Sequence, residues 1–309
     1  MPTTSKHIAA SLTWLAPVPL RVNAPYLIMH PSRTLCGCVT RILHNGFHRR
    51  QNAEVVELAI DEVTTVEIET HRPVSCSLPL SDPIAQSFVM VDPRDGASAA
   101  RGTILAAPLP FEAERKSVRD LGIVGNTPAP QPQGLVVWFT GLSGAGKTTL
   151  CRAVHTELQR RSICAEILDA DDLRKRINRD LGFSKADRDE NVRRIGFIAQ
   201  IVVRKGKLAL VAAISPYREI REELRRELGN FIEVYVDAPL SVCESRDPKG
   251  HYKRARAGEL RRFTGIDDPY EPPLNPEVRC ATHQEAVQAS TDRVLSAILN
   301  VYRQKSASL

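Results

Sequence analysis

The 309-residue chain predicts two domains of different class: a small antiparallel β-barrel or sandwich, then an α/β domain built on a mainly parallel sheet. Three observations carry this expectation. Residues 24–106 read as short β segments between turn residues, with no long amphipathic helix. Residues 107–133 lose any sustained period, gain Pro and charge, and end in a Pro/Gln tract. Beyond Gly134, strand and helix patterns alternate, as they do in βαβ units whose sheet is covered on both faces. Hydrophobic residues at 42% and charged residues at 25% exclude wholesale disorder and fibrous architectures.

The first domain rests on APYLIMH, TLCGCVTRIL, VTTVEIETHR and SFVMVD. In the third, Val66, Ile68 and Thr70 alternate with Glu67, Glu69 and His71, the period of a strand with one buried and one wet face. Turn residues at Asn45-Gly46, Pro73, Asp82-Pro83 and Asp92-Pro93 space the strands as a small barrel requires. In the second domain LVVWF is a buried strand, and KTTLCRAVHTELQRR a helix with Leu150, Val154 and Leu158 on one face. CAEILD is the next strand, and DRDENVRRIGFIAQIVVRK a long helix that Ser184 caps and Gly206 stops. Strand LALVAAI, helix YREIREELRREL and strand FIEVYVD follow.

Residues 1–110 carry nine Lys/Arg against nine Asp/Glu, so the whole net charge of +6 lies in the later part. That bias suits a partner rich in phosphate or sulfate, and nucleic acid equally well. Seven cysteines without a CxxC pair read as reduced thiols of a cytoplasmic protein. The apolar stretch Ile8–Leu20 follows Lys6 as a secretory signal would, but Pro17 and Pro19 interrupt it, and export is not expected. No segment reaches the roughly 18 apolar residues of a membrane-spanning helix, so no membrane partner is expected.

Chemistry concentrates after Gly134. Gly141–Thr148, GLSGAGKT, matches GxxxxGK[ST], with a strand before it and a helix after it. The backbone N–H groups of such a loop wrap phosphate oxygens, and the helix N-terminus adds a field that favours anions. Lys147 then neutralises the β and γ phosphates of ATP, and the Thr148 hydroxyl ligates Mg2+. The chain has no NKxD and no downstream DxxG, the parts a GTPase needs. Asp169 and Asp171 of LDADD stand where the next strand meets its loop, the edge on which open α/β sheets bind ligands. A carboxylate there accepts a substrate hydroxyl proton or holds magnesium through water. Two segments keep alternative readings. NRDLGFSKADRDENVRRIG interleaves basic and acidic residues, and composition alone favours a solvated helix with i,i+4 ion pairs. DPKGHYKRARAGELRRFTGIDDPYEPP is basic and is either a mobile lid over phosphates or an exposed charged loop.

Taken together, GLSGAGKTTL, LDADDLR, INRDLGFSKADRDENVRRIG, ISPYR, RDPKGHYKRARAGEL and FTGIDDPYEPPLNPE resemble adenylylsulfate kinase in order and spacing from about Gly134 to Thr282. The resemblance implies an α/β P-loop kinase domain with a parallel sheet, preceded by a small antiparallel β-barrel domain. It implies transfer of the ATP γ-phosphoryl group to the 3′-hydroxyl of adenylyl sulfate, a step of sulfate assimilation. By motif position, Gly141, Leu142, Ser143, Gly144, Ala145, Gly146, Lys147, Thr148 and Thr149 hold the nucleotide. Phe183 and Phe263 sandwich the acceptor adenine. Arg174, Arg188 and Asn191 grip its sulfate and phosphate, with Asp169 and Lys249 beside it. Asp171 assists the 3′-hydroxyl, and Ser215 matches the serine to which a phosphoenzyme is ascribed, although in-line transfer does not need one. One departure is DADD in place of the family's DGDN: Ala170 restricts the backbone, and Asp172 adds charge near an anionic substrate.

The earlier part resembles the C-terminal β-barrel of the large GTP-binding subunit of bacterial ATP sulfurylase, over about residues 12–106. That subunit is often fused to adenylylsulfate kinase in this order. The expected organisation is a barrel at 12–106, a linker at 107–133 and a kinase at 134–309. Expected partners are adenylyl sulfate, ATP sulfurylase subunits met through the barrel, and a second copy in a homodimer. Three alternatives stay open: a P-loop kinase for another small alcohol, a non-catalytic assembly module and, more weakly, nucleic-acid binding. The Phe183 and Phe263 pair argues against the first, and the set of Lys147, Thr148 and Asp171 against the second, since a scaffold has no need of it.

Overall fold

The stretch weighed above as an export signal opens as a strand. In the computed structural model, β1 spans Thr3–Trp14 and turns Ile8, Ala10, Leu12 and Trp14 into a core that leaves each at most 1% exposed. The first domain therefore begins before residue 12, because the period-2 apolar pattern already runs through Ile8 and Ala10. The structure describes residues 3–31, 33–44, 55–76, 86–106 and 134–306. The turns expected at Asn45-Gly46 and Asp82-Pro83 and the linker expected at 107–133 lie outside the described residues. The chain divides into two units, Met1–Pro130 and Gln131–Leu309.

In the first unit β3 (Pro25–His30), β4 (Arg33–His44), β6 (Val63–Cys76), β7 (Ser87–Val91) and β8 (Ser98–Ala106) join β1 in a closed antiparallel barrel, ordered β1-β6-β4-β3-β7-β8. Pairing of β1 with β8, Leu12 opposite Gly102, closes the ring and leaves no edge. Two short strands, β2 (Leu20–Arg21) and β5 (Val55–Val56), pair beside it. Val66 and Ile68 face the core as their alternation predicts. The opposite face of that strand is drier than expected: Glu69 and His71 are buried, and His71 Nδ1 accepts from the Cys36 amide at 3.0 Å.

The second unit is a five-stranded parallel sheet ordered β10-β11-β9-β12-β13. Its strands are β9 (Val136–Thr140), β10 (Ala165–Asp169), β11 (Leu208–Ala212), β12 (Phe231–Asp237) and β13 (Val278–Ala281). Among the described residues seven helices accompany it: α1 (Lys147–Arg160), α2 (Ala170–Arg176), α3 (Lys185–Arg204), α4 (Arg218–Leu228), α5 (Leu240–Arg246), α6 (His251–Arg256) and α7 (Val287–Ser306). Every residue of β9 and β11 is buried, which is why both read as continuous apolar runs. Leu150, Val154 and Leu158 pack α1 into the same core. Ser184 caps α3 in a capping box with Asp187, and Gly206 follows its end at φ 76°, a left-handed turn that glycine accepts without cost. From β9 the chain crosses to β10 and β11 on one side and to β12 and β13 on the other. The order therefore reverses beside β9, and a crevice opens at the carboxyl ends of the strands there.

Two segments that kept alternative readings are resolved in form. The charged start of α3 is not a solvated face throughout: Arg194 is 2% exposed and meets Asp180 at 2.8 Å and Glu190 at 3.0 Å, while Arg193 pairs with Glu223 of α4. The basic segment after β12 contains α6, which buries Tyr252 and Ala255 in the core, so it is not an exposed loop throughout. Among the described residues no helix is long and apolar enough to cross a membrane.

Candidate active site

The loop Gly141–Gly146 leaves β9 at the reversal point and enters α1. Gly141 sits at φ 154°, and a Cβ there would lie 2.4 Å from the Val236 carbonyl oxygen, so no other residue fits. No side chain caps α1, which leaves its first-turn amides for an anion. The loop's carbonyls are engaged from outside: Tyr252 OH donates to Ser143 O at 2.9 Å, Arg246 Nη1 to Gly144 O at 3.2 Å, and Thr282 Oγ1 to Ala145 O at 2.6 Å. With these three carbonyls held outward, the inner side of the loop is left to amides, although Ala145 N donates to Leu142 O at 3.2 Å. Sequence reasoning missed Arg246, Tyr252 and Thr282, which lie far along the chain and belong to no phosphate-loop motif.

Lys147 reaches back over the loop and donates to Gly141 O at 3.0 Å and Leu142 O at 2.7 Å. Burial pushes its ammonium down to about 8, against the pull of the Asp171 carboxylate. Thr148 Oγ1 donates to Asp169 Oδ2 at 2.8 Å, and Asp169 Oδ1 accepts the Asp171 amide at 2.9 Å, capping α2. Asp171 itself pairs with Lys249, from the basic segment, so one chain of contacts runs from the phosphate loop to that segment. The Thr148 hydroxyl and Asp169 carboxylate are hard oxygen donors. Among the described residues no group of three or more His, Cys, Asp or Glu could hold a metal alone. That donor set fits Mg2+, which takes one or two protein oxygens and the rest from phosphates and water. Ala170 is the first residue of α2, where alanine suits the helix, and Asp172 lies in its first turn, where a negative charge is favourable. The DADD departure therefore strains nothing locally.

On the acceptor side, Arg174 donates to Leu181 O at 3.0 Å and to Gly182 O, and its guanidinium lies 4.2 Å from the centre of the Phe183 ring. Burial, then the neighbouring Arg188 charge, lower the Arg174 guanidinium from its ordinary value. Two guanidinium groups packed against one ring make a place for an anion. Arg188 Nε donates to Phe183 O at 3.2 Å, and Arg188 also donates to Arg262 O, so it joins the Phe183 segment to the Phe263 segment. The two rings differ in setting. Phe183 is 49% exposed, whereas Phe263 is 9% exposed and packs edge-on against Tyr252 at 4.9 Å. Asn191 Oδ1 accepts from the fully buried Asn178 at 2.8 Å, which fixes the Asn191 carboxamide. Ser215 lies deeper: it is 2% exposed, its hydroxyl accepts from the Trp138 indole at 2.9 Å and donates to Thr140 Oγ1 at 3.1 Å, and its φ is 41°.

A family model for adenylylsulphate kinase matches residues 133–281. The adenylyl-sulfate kinase of Microcystis aeruginosa is 59% identical over 162 residues, which are 52% of this chain and 90% of that protein. That of Synechococcus sp. (strain JA-3-3Ab) is 57% identical over 166 residues, 54% of this chain and 94% of the relative. Among solved structures, the Mycobacterium tuberculosis APS kinase CysC in complex with AMPPNP and APS is 45% identical, with a TM-score of 0.52. It is covered over 98% of its length by 54% of this chain.

Proposed function

Because the chain belongs to the adenylyl-sulfate kinase family, we propose that its α/β unit transfers the γ-phosphoryl group of ATP to the 3′-hydroxyl of adenylyl sulfate. The 3′-oxygen bonds to the γ phosphorus, the bond from that phosphorus to the βγ-bridging oxygen breaks, and ADP leaves with the bridging oxygen. The hydroxyl proton passes to the Asp171 carboxylate. Amides of Gly141–Thr149 hold the phosphates, and Lys147 exchanges its loop carbonyls for their oxygens. Thr148 and, through water, Asp169 would hold Mg2+, which would neutralise charge on the β and γ phosphates. Lys249 turns from Asp171 to the transferring group, freeing the carboxylate to act as base. Arg174, Arg188 and Asn191 hold the acceptor's sulfate and phosphate, and Phe183 with Phe263 orients its adenine. Ser215 has its hydroxyl engaged on both sides, and this supports direct in-line transfer with Ser215 as a positioning residue.

The observation that carries this reading is the continuous chain Thr148–Asp169–Asp171–Lys249 from the phosphate loop to the basic segment. The test is coupled measurement of ADP release with and without adenylyl sulfate. Release that depends on the acceptor is expected; equal release without it, or none at all, would leave an ATPase or an assembly module instead. The closed barrel and the resemblance of residues 12–106 support a role for the first unit in associating with ATP sulfurylase subunits, and the free thiols of Cys151, Cys164, Cys243 and Cys280 support the cytoplasm as the compartment. Co-purification with the sulfurylase and mass in solution test that association and a homodimer.

A further inference from the structure

We propose that Asp268, held by Tyr217, is a positioning residue of the acceptor site, setting Arg188 and the Phe263 turn in one geometry relative to the ISPYR loop. The inference rests on the reading of adenylyl sulfate as acceptor. Asp268 Oδ2 lies 3.3 Å from Arg188 Nε, and Tyr217 OH donates to the same carboxylate at 3.0 and 3.2 Å. Three segments distant in sequence therefore meet on one carboxylate, and each carries a site residue: α3 brings Arg188, the loop after β11 brings Ser215 and Tyr217, and the turn after α6 brings Phe263.

The turn is tied together by its own hydrogen bonds. Asp267 accepts the Arg262 amide at 2.6 Å and the Phe263 amide at 2.5 Å, Gly265 N donates to Asp268 O at 2.7 Å, and Ile266 N donates to Phe263 O at 3.0 Å. Whatever fixes Asp268 therefore fixes Phe263. Tyr217 is 5% exposed and the Arg188 and Asp268 side chains are 11% and 19% exposed, so water screens this contact weakly. One edge of the Arg188 fork is spent on Asp268, Phe183 O and Arg262 O, and the other is thereby aimed for an anionic ligand. A carboxylate that only neutralised Arg188 would need no buried phenol behind it; Tyr217 supplies direction.

The test uses the full chain with Tyr217→Phe, Asp268→Asn and both together, measuring KM for adenylyl sulfate, KM for ATP, kcat and the thermal midpoint. The expected result is a rise of about tenfold in acceptor KM for Asp268→Asn and about threefold for Tyr217→Phe, with ATP KM within twofold of the parent. The double variant should fall no further than Asp268→Asn alone, because both changes act through one carboxylate. Parallel rises in both KM values, or additive effects in the double variant, would overturn the proposal. If Asp268→Asn does not fold, Tyr217→Phe decides alone by the split between the two KM values. No acceptor-dependent turnover and no calorimetric binding of adenylyl sulfate by the parent would overturn the kinase reading and this inference together. An active parent with unaffected variants would overturn only the inference.

Discussion

Lys147 carries the clearest dependence on pH. Its ammonium titrates near 8 rather than at the ordinary 10.5 because burial disfavours the charged form. Phosphate binds the protonated form, so the free enzyme loses affinity for ATP as pH rises through about 8, by about tenfold per unit at most, and nucleotide binding takes up a proton in that range. A pH profile of kcat/KM for ATP should show this alkaline limb, and Lys147→Arg, which stays charged, should lose it; a flat profile from pH 7 to 9.5 would contradict the assignment. The two phenylalanines give unequal probes. Phe183→Ala should weaken adenylyl sulfate binding by roughly 1–3 kcal/mol, the range for bases stacked on aromatic side chains, with little change in thermal midpoint. Phe263→Ala opens a hole beside Tyr252 and should also cost about 3 kcal/mol or more of stability. Calorimetric titration alongside melting separates the two effects, and equal destabilisation by both variants would contradict it.

Between β11 and β12, α4 is the helix that YREIREELRREL predicts, yet its most consequential side chain is polar. Arg221 is 1% exposed; its Nε donates to Glu233 of β12 at 2.7 Å, Nη1 to Ser215 O at 2.6 Å and Nη2 to Glu271 O at 2.7 Å. It pins the left-handed backbone of Ser215, a conformation that costs on the order of 1–3 kcal/mol in a non-glycine residue. Arg221→Met should therefore destabilise the chain by about 1–3 kcal/mol, less than the loss of an uncompensated buried charge because Arg225 Nη2 still meets Glu233 at 3.2 Å, and a fall in urea midpoint at unchanged slope would show it. A loss under 1 kcal/mol would mean that the pair contributes little. REIREELRREL shows its apolar period, but a single sequence does not mark which of its four arginines turns inward, because the partners come from outside the helix: Glu233 from the next strand and Glu271 from a loop 50 residues on. The same limit applies to Arg194 with Asp180 and to Asp268 with Tyr217. By contrast, GLSGAGKT, LDADD and the strand–helix alternation were legible, because glycine spacing and apolar runs are local. The strand from Thr3 was hidden because an apolar run after a lysine also reads as a signal segment.

Every side chain given a chemical role belongs to the unit Gln131–Leu309. A chain starting at Gln131 should thus fold and keep acceptor-dependent ADP release within about twofold of the full chain, with its own thermal midpoint. Preserved folding with lost turnover would mean that the barrel completes the site or orders an assembly that catalysis needs. The barrel has a requirement of its own. Its first strand lies between β6 and β8, so the ring cannot shut until residues near Ala106 exist. At 5–20 residues per second a ribosome takes roughly 5–20 s to make that stretch, during which one flank of β1 awaits its neighbour. Ile8, Leu12 and Trp14 are then apolar surface on a nascent chain until β8 is made.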